Sequence, residues 1–269
     1  MSMTLSGDSV ITAPLTMGFG GANVTTNVAV GLGALNSNTT AGNNTAVGYQ
    51  AAYTNSTGSS VEAFGYQALY SNTGNYNSAF GWSALYANTS GQQNNAFGRG
   101  ALQSNTTGSF NTSIGVNSMQ YNTIGGYNTA VGTNSLINNT TGSYATAVGY
   151  QAGYAYIAST EAYGSTFVGY IAGAAVTTGI DNTIVGSAGY RITTGIRNTM
   201  LGSGTLANLI TASNNTAVGY ASLNANTAAN NTAVGVYSLN NNTSGTPNDA
   251  FGYQALYSNT TGTYNTCLL

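Results

Sequence analysis

Residues 44–58 of the chain read NTAVGYQAAYTNSTG, and nearly the same unit returns at residues 248–262 as NDAFGYQALYSNTTG. Its first five residues, NTAVG or a close variant, occur fourteen times, and a fifteenth copy begins at Asn265. The glycines that end successive copies lie 16 or 17 residues apart, and once 20 residues apart. A period of this length, held along a chain, is typical of repeat proteins in which each unit stacks on the next.

The composition of the unit favours short strands over helices. Its polar half is rich in Asn, Thr, Ser and Gly, which disfavour helix and favour turns. Its apolar part is short and often β-branched, which suits a strand. We therefore expect an all-β fold, a parallel β-solenoid of about 14 coils over residues 25–269. Residues 1–24 form an N-terminal segment that caps the solenoid, attaches it elsewhere or bridges to another subunit. At about 4.8 Å per coil the rod is about 65–70 Å long.

The chain of 269 residues has only three basic and five acidic side chains, no histidine and one cysteine. A net charge of −2 gives no surface for neutralising phosphates, so we expect no nucleic-acid partner. Zinc sites and His-based nucleophilic catalysis lack their residues, and we predict no catalytic, cofactor or metal site, hence no enzyme. No apolar run is long enough to span a membrane, so we expect no membrane insertion.

Stacking explains why charges are rare. A charge repeated in every coil would lie about 4.8 Å from like charges above and below, whereas neutral Asn and Thr form hydrogen-bonded ladders. Asp181 and Arg197 each precede the repeat glycine by five residues in adjacent coils. The register therefore predicts that these two side chains form a stacked ion pair.

Two neighbouring positions of the strand are apolar. The residue two before the glycine is usually Ala, and Cys267 takes this position in the last copy. Because consecutive strand residues point to opposite faces, one row fills the coil and the other leaves an apolar stripe that a second chain would cover. The sequence does not distinguish which row faces inward. The large residues that precede the glycine, the candidate core or oligomer seam, are Val47, Phe64, Phe80, Phe97, Ile114, Val131, Val148, Val218, Val234 and Phe251.

The motifs NTAVGYQ at 44–50 and YQALYSNTTG at 253–262 resemble the head repeats of trimeric autotransporter adhesins, and also repeats in bacteriophage and large-virus fibre proteins. The resemblance covers about residues 25–269. It implies a left-handed parallel β-roll, three identical chains around one axis, and a non-enzymatic fibre that attaches to a host or cell surface. The unit is longer than the usual adhesin repeat, and no signal peptide, coiled-coil stalk or membrane anchor is visible. We therefore expect a viral or phage tail fibre, located on a virion surface or outside the cell.

Aromatic residues at two positions of the unit are candidates for surface contacts with a cell-surface glycan or receptor. Alternatively, they stack on one another or cover a subunit seam. One set follows the glycine: Tyr49, Tyr66, Trp82, Tyr150, Tyr170, Tyr220 and Tyr253. The other set precedes it by five residues: Tyr76, Phe110, Tyr127, Tyr144 and Tyr264.

Two other functions are compatible with the repeat. The chain is alternatively a subunit of an open, head-to-tail extracellular filament with a purely structural role. Regular Thr arrays also suit ice binding, although Asn and Thr equally serve as turn residues at the coil corners. Residues 152–213 are the least regular part and hold four of the eight charges, including Glu161, so a lateral binding site is most expected there.

Overall fold

The computed structural model describes residues 17–157 and 164–269 and shows a parallel β-solenoid. Its strands form one sheet of 16 strands in chain order, in which every neighbouring pair is parallel except β1 and β2. This confirms the predicted all-β solenoid of about 14 coils with repeats of about 17 residues. The strands are β1 (Met17–Gly18), β2 (Val28–Val30), β3 (Thr45–Val47), β4 (Glu62–Phe64), β5 (Ser78–Phe80), β6 (Asn95–Phe97), β7 (Thr112–Ile114), β8 (Thr129–Val131), β9 (Thr146–Val148), β10 (Thr166–Val168), β11 (Thr183–Val185), β12 (Thr199–Leu201), β13 (Thr216–Val218), β14 (Asn231–Val234), β15 (Asn248–Phe251) and β16 (Asn265–Leu268).

Equivalent positions of successive coils lie side by side. Ala46 pairs with Ala63 and Val47 with Phe64, and the same register holds across the longest repeat, where Phe167 pairs with Ala147. At the N-terminal end of the sheet, β1 pairs antiparallel with β2. The N-terminal segment therefore covers the edge of the first coil from residue 17 onward, while residues 1–16 lie outside the described part of the chain.

The interior of the coil is filled from two opposite walls. The Ala row of the strand is fully buried, and so are the leucines that lie four residues after the glycine, such as Leu69, Leu85 and Leu102. These leucines have φ values of 51–52°. A left-handed backbone costs about 1–2 kcal/mol per residue, and burying a leucine side chain contributes about 1.5–3 kcal/mol, so the burial offsets the strain.

In the irregular segment, residues 152–213, the strand contributes large side chains to the core and the facing wall contributes small residues. Phe167, Ile184 and Met200 replace alanine in the inward row and are fully buried. Glycine stands in the leucine position at Gly153 and Gly173, and its equivalent in the next, shorter coil is Gly189, three residues after the repeat glycine Gly186. A Cβ atom on Gly173 would lie only 2.4 Å from Phe167 Cδ1, and one on Gly153 would lie 2.7 Å from Phe167 Cδ2. A large side chain from the strand therefore fits only where the facing wall has none.

Buried asparagines satisfy the backbone at the coil corners. Asn105 Nδ2 donates to Asn88 Oδ1 at 2.7 Å and to the carbonyl oxygen of Gly108 at 2.9 Å, and Asn122 continues this ladder. A second ladder lies four residues before the glycine. Four apolar residues interrupt the first ladder in the irregular segment: Tyr156, Val176, Ile192 and Leu209. The exchange of core residues thus extends to the corners.

A ladder of glycines ends the strands. Gly81 has a φ of +142°, and a Cβ atom there would lie 2.5 Å from the carbonyl oxygen of Gly98 in the next coil. The same close approach recurs along the rod, for instance at Gly132 with Gly149 at 2.4 Å. Glycine is required at this position because the coils approach too closely for any side chain and the backbone is left-handed.

We predict that Gly81→Ala lowers the thermal unfolding midpoint sharply. The φ value alone costs about 1–3 kcal/mol, and the contact with Gly98 adds to it. Gly18→Ala is the matched control, because a Cβ atom there meets nothing within 4 Å. Circular dichroism melts of both variants measure the difference, and equal melting of the two would contradict the stacking geometry.

Because Phe167 and Gly173 share one space in the core, we predict that the effects of substituting them on the free energy of unfolding are coupled. Phe167→Ala leaves a cavity and should cost about 3–5 kcal/mol, and Gly173→Leu clashes with the Phe167 ring. The double variant restores the Ala and Leu pair of an ordinary coil, so it should be more stable than the sum of the two single effects implies. Additive losses in chemical denaturation would show that the two positions do not share volume.

Candidate functional site

The structure resolves which apolar row faces outward. The Ala row lies in the core, and the residue before the glycine lies on the outer face of the sheet, half-buried or exposed. Phe97 is 39% exposed, Ile114 41% and Leu201 45%. These side chains, with the Thr row two residues before them, make the outer face of a sheet that runs the length of the solenoid. The seam residues predicted from the sequence therefore form an outer surface.

Three phenylalanines on this face stack in consecutive coils. The ring centres of Phe64 and Phe80 lie 4.7 Å apart, and those of Phe80 and Phe97 lie 4.7 Å apart, with nearly parallel planes. Phe251 takes this position near the C-terminal end, and the remaining coils place Val, Ile or Leu there. The outer face is therefore a continuous apolar stripe, with its stacked phenylalanines near the N-terminal end of the rod.

The residues that follow the glycine form an exposed ladder beside this face. Tyr49 stacks on Tyr66 with ring centres 5.2 Å apart, and Tyr66 stacks on Trp82 at 6.0 Å. A second run begins at Tyr150 and Tyr170, 5.6 Å apart. Each of these side chains is exposed. Most of the predicted contact residues are thus stacked face to face on one another and present their edges to solvent.

The ladder after the glycine takes a different geometry near the C-terminal end. Val236 takes this position in the coil after Tyr220, and Tyr220 contacts the next residue, Tyr237, edge to face, with ring centres 5.4 Å apart. Tyr253 is exposed. Loss of water contact, and the neighbouring Tyr220, raise the pKa of Tyr237. Burial raises the pKa of Tyr156 in the core. Both phenols are therefore uncharged at neutral pH.

The second predicted set also forms a ladder. Phe110 stacks on Tyr127 at 4.7 Å, and Tyr127 stacks on Tyr144 at 5.2 Å. Tyr76 and Tyr264 have other residue types in the adjacent coils and stand alone in this row. Tyr264 is 84% exposed. This ladder lies at the start of the strand, on a different edge of the coil from the row that follows the glycine.

Sequence reasoning missed a third ladder. Tyr53 stacks on Tyr70 at 5.2 Å, and Tyr70 on Tyr86 at 5.1 Å. The signal is present in the sequence, because all three residues follow the repeat glycine by five positions. Their rings are only half-exposed.

Sequence reasoning also missed Arg99. This residue takes the position of Tyr66 and Trp82 in the next coil, and its guanidinium carbon lies 5.8 Å from the centre of the Trp82 ring. The exposed guanidinium therefore ends the aromatic run that begins at Tyr49. Trp82 and Arg99 line an open depression of about 330 Å³.

The other charges are few and lie on the surface. Arg197 Nε lies 3.9 Å from Asp181 Oδ2, so these two residues are neighbours in adjacent coils. Both are partly exposed, and such pairs contribute about 0–1 kcal/mol. Arg191 Nη1 donates to Asn208 Oδ1, and Ser78 Oγ donates to Glu62 Oε2 at 2.6 Å. Apart from the pair of Asp181 and Arg197, the charged side chains of the described residues are spread singly along the rod.

Many threonine hydroxyls at the surface donate hydrogen bonds to the next coil. In the row that lies eight residues after the glycine, Thr89 Oγ1 donates to the carbonyl oxygen of Thr106, and Thr106 Oγ1 donates to that of Thr123. Hydroxyls that bridge coils in this way are not free to order external water. This row therefore serves the fold, which weakens the case for ice binding there.

In the irregular segment, residues 152–213, the described residues form the core in which Phe167, Ile184 and Met200 replace alanine. Glu161 lies outside the described residues.

Cys267 is a free thiol, half-buried against the core in the alanine row. Within residues 17–157 and 164–269, no three His, Cys, Asp or Glu side chains cluster as metal ligands. No helix in the same residues is long and apolar enough to cross a bilayer.

Comparisons with protein-family models, with curated proteins and with solved structures found no match to this chain. The fold and the surface rows are therefore the basis for its function. They define the class: the chain is a parallel β-solenoid repeat protein with aromatic ladders on an almost uncharged surface.

Proposed function

We propose that this chain is a segment of a non-enzymatic fibre of the viral or phage tail-fibre type, which attaches to a host or cell surface. The observation that carries the proposal is the exposed ladder of Tyr49, Tyr66 and Trp82 on a stacked, almost uncharged rod. A row of exposed aromatic edges beside Asn and Thr suits the apolar parts and hydroxyls of sugars. A virion surface or the extracellular space is the location that this role requires.

The proposal includes three chains around one axis, wound as a left-handed β-roll. It is supported by the apolar row on the outer face, which holds half-buried and exposed Phe, Val, Ile and Leu in consecutive coils. Soluble monomers rarely expose a continuous apolar patch larger than a few hundred Å². Copies of the same chain around an axis are the commonest way to cover such a stripe.

We expect the purified protein to have about three times the monomer mass of 27.2 kDa in light scattering. Phe80→Asp should shift it toward monomer, because an unpaired carboxylate buried in the seam costs several kcal/mol. Thr107→Asp, at an exposed corner, is the matched control and should leave the mass unchanged. A monomeric wild-type protein would contradict the trimer.

The alternative, an open filament with a purely structural role, is separated by electron microscopy. Discrete rods of about 65–70 Å per solenoid are expected for the fibre segment, and indefinitely long fibres for the filament. Ice binding, the third possibility, would appear as thermal hysteresis, which we do not expect.

Attachment through the aromatic ladder predicts a defined loss of binding. On a glycan array, the double variant Tyr49→Ala/Tyr66→Ala should lose at least tenfold in binding strength. The loss of one aromatic contact to a ligand costs about 1–3 kcal/mol, on the scale known for nucleobases that stack on aromatic side chains. Tyr53→Ala/Tyr70→Ala removes an equal number of stacked rings from the half-exposed ladder and should retain binding. Equal loss in both variants would indicate a general effect on the rod.

A further inference from the structure

Arg99 is unlike every other residue of its row. Among residues 17–157 it is the sole cationic side chain, and it stands where neighbouring coils have Tyr66 and Trp82. Arginine in a stacked row is tolerated here because the next coil places Val116 in that position, so no like charge adjoins it. The chain thus puts its one positive charge of this region at the end of an exposed aromatic run.

The Arg99 guanidinium group contacts the Trp82 ring and has no carboxylate partner among the described residues. It lies 5.8 Å from the centre of the Trp82 ring, within the range of a cation–π contact. In the described part of the chain it has no carboxylate within 4.0 Å, since Asp181 and Arg197 form the one ion pair there. None of its N–H groups donates a hydrogen bond to the described residues. Its donors are therefore oriented by the ring and open to a ligand.

The space beside the pair fits a small ligand. Trp82 and Arg99 line a depression of about 330 Å³, at the small end of the range of about 300–1,000 Å³ for small-molecule sites. One wall is the edge of Trp82, a residue that is 49% exposed, and the other is the planar fork of donors of Arg99. The fork matches carboxylate and sulfate oxygens, which accept two parallel N–H bonds.

We propose that Trp82 and Arg99 bind an acidic sugar residue of a glycan, with its anionic group on the guanidinium and its apolar side against the exposed edge of the indole. Neutral sugars that adjoin it then contact Tyr66 and Tyr49 along the same ladder. A saccharide is favoured over a peptide carboxylate because the anion site continues into a run of three stacked, uncharged rings. This inference rests on the proposed attachment function and adds the chemical class of the ligand.

The test uses the full-length protein on an array of neutral, carboxylated and sulfated glycans with matched backbones. We expect the acidic members to bind more tightly than their neutral counterparts, and Arg99→Gln to reduce that binding about tenfold to a hundredfold. Arg99→Lys keeps the charge without the fork and should retain an intermediate level. Arg191→Gln is the matched control, because Arg191 is exposed and lies in another coil.

The outcomes separate the two proposals. If neutral and acidic glycans bind equally, or if Arg99→Gln leaves acidic binding intact, the acidic-sugar site is wrong while glycan attachment stands. If no glycan binds but whole cells do, the site is wrong and the receptor is of another class. If neither glycans nor cells bind, the attachment function itself is overturned. A preference for carboxylated over sulfated members, or the reverse, identifies the anionic group.

Discussion

In the described coils, each strand residue lies against its own equivalent in the next coil, and the rest of the structure depends on this stacking. Backbone N–H and C=O groups bond from coil to coil in the strand and in the turns, as from Leu85 N to the carbonyl oxygen of Ala101 at 3.0 Å. The glycine ladder sets how closely the coils approach. A residue type is therefore acceptable only if it can stand beside itself, and Asn, Thr, Ala and aromatic rings meet this condition.

The narrow interior imposes the second constraint. In most coils a methyl group from the strand meets a leucine from the facing wall, and no room remains. Where Phe167 lies in the core, Gly153 and Gly173 replace the facing leucine. In the same two coils, Tyr156 and Val176 replace the buried corner asparagine. The described residues of the segment that is irregular in sequence thus keep the strand register and differ in side-chain packing, because the backbone hydrogen bonds between coils do not depend on which wall fills the core.

The stacking of equivalent positions also produces the aromatic rows on the surface. One aromatic residue in a repeat is a lone exposed ring, but the same residue in consecutive coils is a ladder several rings long. Such ladders give a rod extended aromatic surfaces without a cleft. A single change, Trp82 followed by Arg99, then gives one point of the ladder a charge and a local chemistry that the rest lacks.

The sequence by itself determined the period, the number of coils, the parallel stacking and the pairing of equivalent residues, since the glycine spacing sets the register. That register also places Asp181 beside Arg197. Only the tertiary structure decided that Ala46 faces the core and Val47 the outside, because both rows are apolar and strand alternation alone is symmetrical. Leucines from the facing wall occupy the interior and leave space for a methyl group, and this decides the orientation. Arg99 on Trp82 likewise became visible only when the two residues were placed in one row.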